Sequence, residues 1–336
     1  MKGYKVTNTA QLELIEMSSV VLSGQVKIKV NRIGLSRDDI FSYSNPQQDK
    51  FILGRQCVGL VVETADDVTN FERGNRVIIN PFLSCQQCSE CRQGNGNLCN
   101  DLQIAGKNTD GYLRDFVISN SRNLYLLPEN VSDSEAVFVE HTARALAIIH
   151  KMDMQKGDHI VIIGASIVGL ILAQLVIYYQ GVPIIIDARE SHLEMASKLG
   201  ICYTINHIKS EPYKKIISIT GGRMSENLAL MGSSGISLFN SLNYVKRGGN
   251  VVIADAYNYK DNDSGAVPVI AEKQISLHSV SYGIKQFMPA INLLANKTVV
   301  VSQFVSQEIE FEQVPEFFAK IMENPLEYVK VIVKNK

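Results

Sequence analysis

Four of the six cysteines lie in one stretch, CQQCSECRQGNGNLC: Cys85, Cys88 and Cys91 with two residues between neighbours, then Cys99 after seven more. Thiolates at this spacing can converge on one tetrahedral ion, and four sulfurs leave no position open for a substrate, so the reading is a structural zinc. An iron–sulfur cluster also takes four cysteines, but this Gly/Asn/Gln-rich loop lacks the proline that commonly trails one. A DNA-binding zinc finger would want a basic recognition helix, and Arg92 is the only cation nearby. The remaining two, Cys57 and Cys202, read as small buried hydrophobes.

A second stretch, HIVIIGASIVGL, is a strand that runs into Gly164, Ala165, Ser166, Ile167, Val168 and Gly169 and then opens a helix. Glycines at such a turn allow a tight bend and bring the helix N-terminus, with its unpaired N–H groups, up to a pyrophosphate. Ser166 stands where the middle glycine is expected. The next strand, PIIIDA, ends in Asp187 about twenty residues on, where a carboxylate can accept both ribose hydroxyls of NAD and repel a 2′-phosphate. Arg189 belongs to the same candidate pocket. A plain βαβ unit whose Asp187 merely caps a turn is the alternative that the serine keeps open.

A third stretch, GRQCVG at Gly54–Gly59, places Arg55 and Gln56 between two glycines, after an apolar approach and before the strand-like LVVE. A cation in that setting needs a counter-charge or a task.

The elements that must carry these residues follow from periodicity. The chain has 336 residues, 46% of them hydrophobic, enough for two domains. Its first part alternates as short strands (VKIKVNRI, CVGLVVE, NRVIINPF) punctuated by Gly, Asn and Asp. From about Asp133 the spacing turns helical in SDSEAVFVEHTARALAIIHKM, with Ser132 or Asp133 as N-cap. Strands and helices then alternate, which predicts βαβ units on a parallel sheet. The late pieces are KQISLHSVSY, two helical patterns (QFMPAINLLANK and FEQVPEFFAKIMEN) and a closing strand, YVKVIVK.

Lys+Arg 33 against Asp+Glu 34 leaves a formal charge of −1, so nothing draws the chain to nucleic acid or an anionic membrane. The N-terminus has no signal-peptide core, and clustered cysteines point to metal in a reducing cytoplasm. Val161–Tyr179 is nearly long and apolar enough to span a bilayer, yet a strand, turn and helix buried on both sides gives the same hydropathy.

Taken together in this order, the cysteine lobe and the glycine turn resemble the zinc-containing medium-chain alcohol and polyol dehydrogenases, of the sorbitol and galactitol-phosphate dehydrogenase kind. The segments NRVIINPFLSCQQCSECRQGNGNLC, DGYLRDFV, VKRGGNVVIADA and FFAKIMENPLEYVKVIVK extend the likeness over the whole chain. The resemblance implies an α/β protein: a GroES-like β domain over residues 1–141, a Rossmann doubly wound parallel-sheet domain over 142–283 that binds NAD, and a return to the first domain over 284–336, with the active site in the cleft between the two domains. It also implies a cytoplasmic homodimer or homotetramer, with KQISLHSVSY as a plausible association edge, acting on a small alcohol, sugar alcohol or sugar phosphate.

The departures fall in the chemical centre. The family's first zinc-ligand segment, Gly-Ile-Cys-Gly-(Ser/Thr)-Asp, is matched by Gly34-Leu35-Ser36-Arg37-Asp38-Asp39, so Ser36 replaces the cysteine ligand and Asp38 the proton-relaying hydroxyl. In the second segment, Gly-His-Glu-x-x-Gly, Arg55 replaces the histidine ligand and Gln56 the glutamate. Only Glu140, in VFVEHTARAL, still offers a metal-binding oxygen at a ligand position. Arginine is never deprotonated in proteins and cannot ligate, and a serine hydroxyl is a poor substitute for a thiolate.

The catalytic zinc is therefore expected to be missing, although Asp38, Glu140 and His141 could rebuild a site. Arg55 is either an oxyanion stabiliser in a zinc-free oxidoreductase or a plug paired with Asp39 and Glu140. Asp38 is the candidate proton relay, and Ser36 and Glu140 line the pocket. Arg144, where the family has a small apolar residue near the nicotinamide, either receives an anionic substrate, obstructs the cofactor or lies on a helix surface. The competing functions are a reductase of an activated double bond or iminium, and a ligand-binding protein that has lost catalysis.

Overall fold

The computed structural model describes residues 1–7, 11–44, 51–231, 235–254, 265–321 and 329–335, with the side chains of Arg37, Asp38 and Phe41 outside the description. The chain forms two compact units, residues 1–140 with 301–336, and residues 141–300. The second crossing lies at Val301 instead of near 284. Helix Phe287–Ala295 buries Phe287, Ala290, Ile291 and Leu294, and Gln174 of the second unit clamps the backbone of Val300 through Nε2 to its carbonyl and Oε1 from its amide. These contacts hold the segment in the second unit.

The first unit is built on a seven-stranded sheet. Its long strand Gln25–Leu35 alternates buried and half-exposed residues and pairs antiparallel with Gln56–Thr64, Phe116–Asn120 and Val331–Lys334. Strands Arg76–Ile79, Leu124–Leu126 and Gln307–Glu310 complete it. The closing strand Val331–Lys334 lies between Gln307–Glu310 and Gln25–Leu35, so residues from both ends of the chain share one sheet.

The second unit has a six-stranded parallel sheet in the spatial order Tyr203–Asn206, Val182–Asp187, His159–Ile163, Ser225–Leu230, Val245–Ile253, Ser276–Ser279. In chain order this is 3-2-1-4-5-6, the doubly wound arrangement, whose ligand crevice opens beyond the carboxyl ends of the central strands. Ile160 to Ile163 and the neighbouring Ile184 to Ile186 are fully buried, as a sheet covered on both faces requires. Helix Ile167–Tyr178 buries every residue from Val168 to Val176. The apolar run from Val161 to Tyr179 is thus a strand, a turn and a twelve-residue helix, and among the described residues no helix is long and apolar enough to cross a membrane.

Two local expectations change. The helix expected from Asp133 is broken into Asp133–Ala136 and Val139–Ile149, the first closed by a capping box between Ser132 and Glu135. Cys57 is buried, but Cys202 is exposed, just ahead of strand Tyr203–Asn206 where the chain has left the core. Asp255, Ala256 and residues 322–328 lie outside the described residues.

Candidate functional site

The four cysteines are brought together as their spacing predicts. The ligating atoms of Cys85, Cys88, Cys91 and Cys99 all lie within 4.8 Å of one another, and Cys85 Sγ is 3.9 Å from Cys91 Sγ. Four Zn–S bonds in a tetrahedron require about 3.8 Å between sulfurs. Backbone amides are already aimed at the sulfurs: Cys88 N donates to Cys85 Sγ, Cys91 N to Cys88 Sγ and Cys85 N to Cys99 Sγ. The amides of Gln87 and Cys88 hold the Cys85 thiol down at about 6, whereas burial and the Cys88 hydrogen bond push Cys91 up to about 12. Adjacent thiols cannot all ionise without a cation between them. These four residues can hold a structural zinc.

In the second unit the turn has the geometry of an anion cradle. Gly164 has φ +109°, and a Cβ there would lie 2.9 Å from Met231 Cβ. A Cβ on Gly169 would lie 2.2 Å from the Gly164 carbonyl oxygen, so both glycines are required for the helix to start this close to the strand. Ser166 is the helix N-cap: its Oγ accepts from Gly169 N at 3.3 Å, which turns the hydroxyl back onto its own helix. The first-turn N–H groups of Ile167 and Val168 lie outside these bonds, as helix starts leave them, and suit an anion.

Asp187 ends its strand beside this turn, with 2% of its surface exposed. Its Oδ2 accepts from Ala165 N at 2.7 Å and Arg189 Nη2 at 2.9 Å, and its Oδ1 accepts from Arg189 N and Nε, both at 2.9 Å. Burial raises the carboxyl, but the hydrogen bonds and charge of Arg189 outweigh it and hold Asp187 at about 2. Beneath the turn, His192 Nδ1 contacts the Ala165 carbonyl at 2.7 Å.

In the first unit the glycines of GRQCVG serve packing. Gly54 has φ +88° and receives the backbone of Asp110–Leu113: Gly111 N donates to Ile52 O, Tyr112 N to Gly54 O and Leu113 N to Leu53 O. A Cβ on Gly59 would lie 2.2 Å from the Lys29 carbonyl oxygen across the sheet.

Around the positions expected to ligate the catalytic metal, two sets of polar contacts form. Ser36 donates through both N and Oγ to Asp39 Oδ2, at 2.7 and 2.6 Å, closing the first turn of helix Arg37–Ser44, and Gly54 N donates to Asp39 Oδ1 at 2.8 Å. Arg55, Gln56 and Glu140 are all buried. Gln56 Nε2 donates to Glu140 Oε2 at 2.7 Å, and Gln56 Oε1 accepts from Lys330 Nζ at 2.7 Å. Lys330, only 1% exposed, fits because Gly34 lacks a side chain: a Cβ there would lie 2.8 Å from Nζ, 2.7 Å from Cε and 2.3 Å from Val137 Cγ1. Asp38 lies on the same short helix, its side chain outside the described residues. Among the described residues, the four cysteines are the one group of three or more side chains that could hold a metal.

Sequence reasoning did not reach Lys330. The signal was a lysine directly ahead of the apolar strand VIVK, next to Val329 in YVKVIVK. Arg144 proves partly buried, with Nη2 donating to the Ala254 carbonyl beyond strand Val245–Ile253, so it is tied into its own unit and is not a solvated helix-surface arginine.

A zinc-type alcohol dehydrogenase-like protein of Haemophilus influenzae is 30% identical over 91% of this chain and 90% of its own length. The chain belongs to the zinc-type alcohol dehydrogenase family. The family model for the alcohol dehydrogenase GroES-like domain matches residues 22–129 of this dehydrogenase homologue. Sorbitol dehydrogenase of Bacillus subtilis is 26% identical over 99% of the chain and 97% of its own length. An alcohol dehydrogenase of Escherichia coli CFT073, solved with NADH, shares the fold with TM-score 0.89 at 21% identity, over 99% of both chains. The chain is thus an α/β member of an oxidoreductase family, with a GroES-like domain and a Rossmann domain.

Proposed function

We propose that this protein is an NAD(H)-dependent oxidoreductase acting on a hydroxyl or carbonyl carbon of a polyol, sugar or sugar-phosphate-like substrate, without a catalytic zinc. The observation that carries the reading is the Gly164–Gly169 turn with Asp187 at the end of the next strand, a cradle that side chains on either glycine would fill. Bound there, the dinucleotide supplies a nicotinamide that takes or gives a hydride. The helix start at Ile167 and Val168 would face the pyrophosphate, and Asp187, with Arg189 beside it, would lie at the adenosine end.

The residues at the catalytic metal position do not fit zinc. Arg55 cannot ligate. The Ser36 hydroxyl is spent on Asp39, and Glu140 receives the amide of Gln56. Arg55 supplies the fixed positive charge for an alkoxide oxygen, a role that charge-assisted hydrogen bonds can fill. Asp38 is the proton relay, and Glu140 lines the pocket as a carboxylate held by Gln56.

The alternative, a dinucleotide- or ligand-binding protein without catalysis, draws support from one observation: the Lys330–Gln56–Glu140 chain fills polar positions that the family devotes to its metal shell. The two readings separate in a turnover screen over polyols, sugar phosphates and their keto forms, run on protein whose metal content has been measured. Enzyme activity at about one zinc per chain, lost in Arg55→Ala and Asp38→Asn, fits the oxidoreductase. Dinucleotide binding with no turnover on any substrate would favour the binding protein, and about two zincs per chain would overturn the metal-free assignment.

A further inference from the structure

Asp187 is the residue expected to select NAD by accepting the ribose hydroxyls and repelling a 2′-phosphate. Its carboxylate is already saturated. Two oxygens offer about four acceptor sites, and Ala165 N with the N, Nε and Nη2 of Arg189 supply four donors. A ribose diol brings two more donors and can enter only where the Arg189 side chain leaves.

The same pairing changes what a 2′-phosphate would meet. A guanidinium has five N–H donors in a planar fork, of which the Asp187 clamp uses two, so three remain. The Arg189 side chain is 25% exposed while Asp187 is 2% exposed, so the open edge of the pair is the cationic one. The neighbouring carboxylate, Glu190, is held by Lys209 Nζ and Asn206 Nδ2, both at 2.8 Å, which offsets its charge as well. An approaching phosphate faces a compensated carboxylate with a guanidinium in front of it.

Resting on the dinucleotide reading, we propose that Arg189 is the residue that sets cofactor preference. Clamped on Asp187 it receives the 2′-phosphate of NADP(H), and swung away it exposes Asp187 to the ribose of NAD(H). The protein accordingly takes both dinucleotides, with affinities within about tenfold of each other. NAD(H) carries the cost of breaking the clamp, and NADP(H) keeps it.

The test is calorimetric titration of the full-length, zinc-loaded protein with NADH and NADPH in the absence of any substrate. Adenosine 2′,5′-bisphosphate against 5′-AMP isolates the phosphate. Arg189→Ala is expected to weaken NADPH and the bisphosphate by about 10- to 100-fold, the scale of charge-assisted hydrogen bonds, and to tighten NADH, whose ribose no longer has to open the clamp. Arg189→Lys, which keeps the charge but loses the fork, falls between. NADPH binding by the parent also weakens with salt more steeply than NADH binding. Parent protein that binds NADH more than about tenfold better than NADPH, or a preference ratio unchanged in Arg189→Ala, overturns the role of Arg189 and leaves the dinucleotide reading standing. Binding of neither dinucleotide by the folded parent overturns both.

Discussion

Lys330→Met tests whether the buried cation is wired through Gln56. Methionine keeps the length and apolar stem of lysine, so packing over Gly34 is preserved and the polar contact is what is removed. The Nζ to Gln56 Oε1 bond, 2.7 Å long between residues that are each 1% exposed, is charge-assisted, a class that contributes about 1.5–3 kcal/mol. Relief of the ammonium's own desolvation offsets part of this, so a net loss of about 2 kcal/mol is expected. Gln56→Leu removes the amide between a buried ammonium and a buried carboxylate and is expected to cost about 3–5 kcal/mol. The double variant should lose less than the sum by more than about 1 kcal/mol, because deleting both partners of a buried pair is milder than orphaning one. Hydrogen exchange of the Gln56–Thr64 strand, followed by mass spectrometry against urea, reads these free energies locally. Lys330→Met within about 0.5 kcal/mol of the parent, or energies that simply add, would refute the coupling of Lys330 to Gln56.

Other perturbations reach the remaining features. Gly34→Ala places a Cβ 2.3 Å from Val137 Cγ1 and should destabilise the first unit by about 1–3 kcal/mol, seen as a lowered unfolding midpoint. Gly169→Ala, with its Cβ 2.2 Å from Gly164 O, should weaken dinucleotide binding by more than about tenfold while bound zinc is retained. Cys85→Ser or a strong chelator should remove the zinc and open residues 85–99 to proteolysis, read by metal analysis and peptide mapping. Asp187, held at about 2 against an ordinary 3.8, stabilises the second unit above about pH 4, and that contribution is lost as pH falls towards 2. Arg189→Ala should flatten this limb of the acid-unfolding curve.

The fold was legible because its signals are local. The glycine turn, the alternating strands and the four cysteine positions each follow from a few neighbouring residues, and the structure places all of them where their spacing indicates. Ser166 was ambiguous until its hydroxyl was seen to cap Gly169, a bond that sequence treats as one option among several. The polar cluster was only half readable. That Ser36 and Arg55 are poor candidates for zinc ligation follows from residue type, at positions that only the family resemblance marks. The partner of Gln56, however, lies 274 residues away at Lys330, and its place depends on an absent side chain at Gly34. Register between distant strands, Gly34 opposite both Gln56 and Ile332, makes that meeting, and no local pattern encodes it. The Asp187–Arg189 clamp was missed for another reason: two residues apart, they formed one candidate pocket, but the saturation of the carboxylate is a matter of counting donors in space.

The seating of Val331–Lys334 between Gln307–Glu310 and Gln25–Leu35 also orders events during synthesis. Residues 141–300 have a complete sheet of their own and can fold as soon as they leave the ribosome. The first unit cannot finish its sheet: Phe116–Asn120 covers Gln25–Lys29 early, but the Arg32–Leu35 end of the same strand has no neighbour in Val331–Lys334 until residue 334 is made. Lys330 arrives with that same strand, so the buried cation is the last charge delivered to a cluster whose other members have waited through most of translation. Until then Gln56 lacks the ammonium from which its Oε1 accepts.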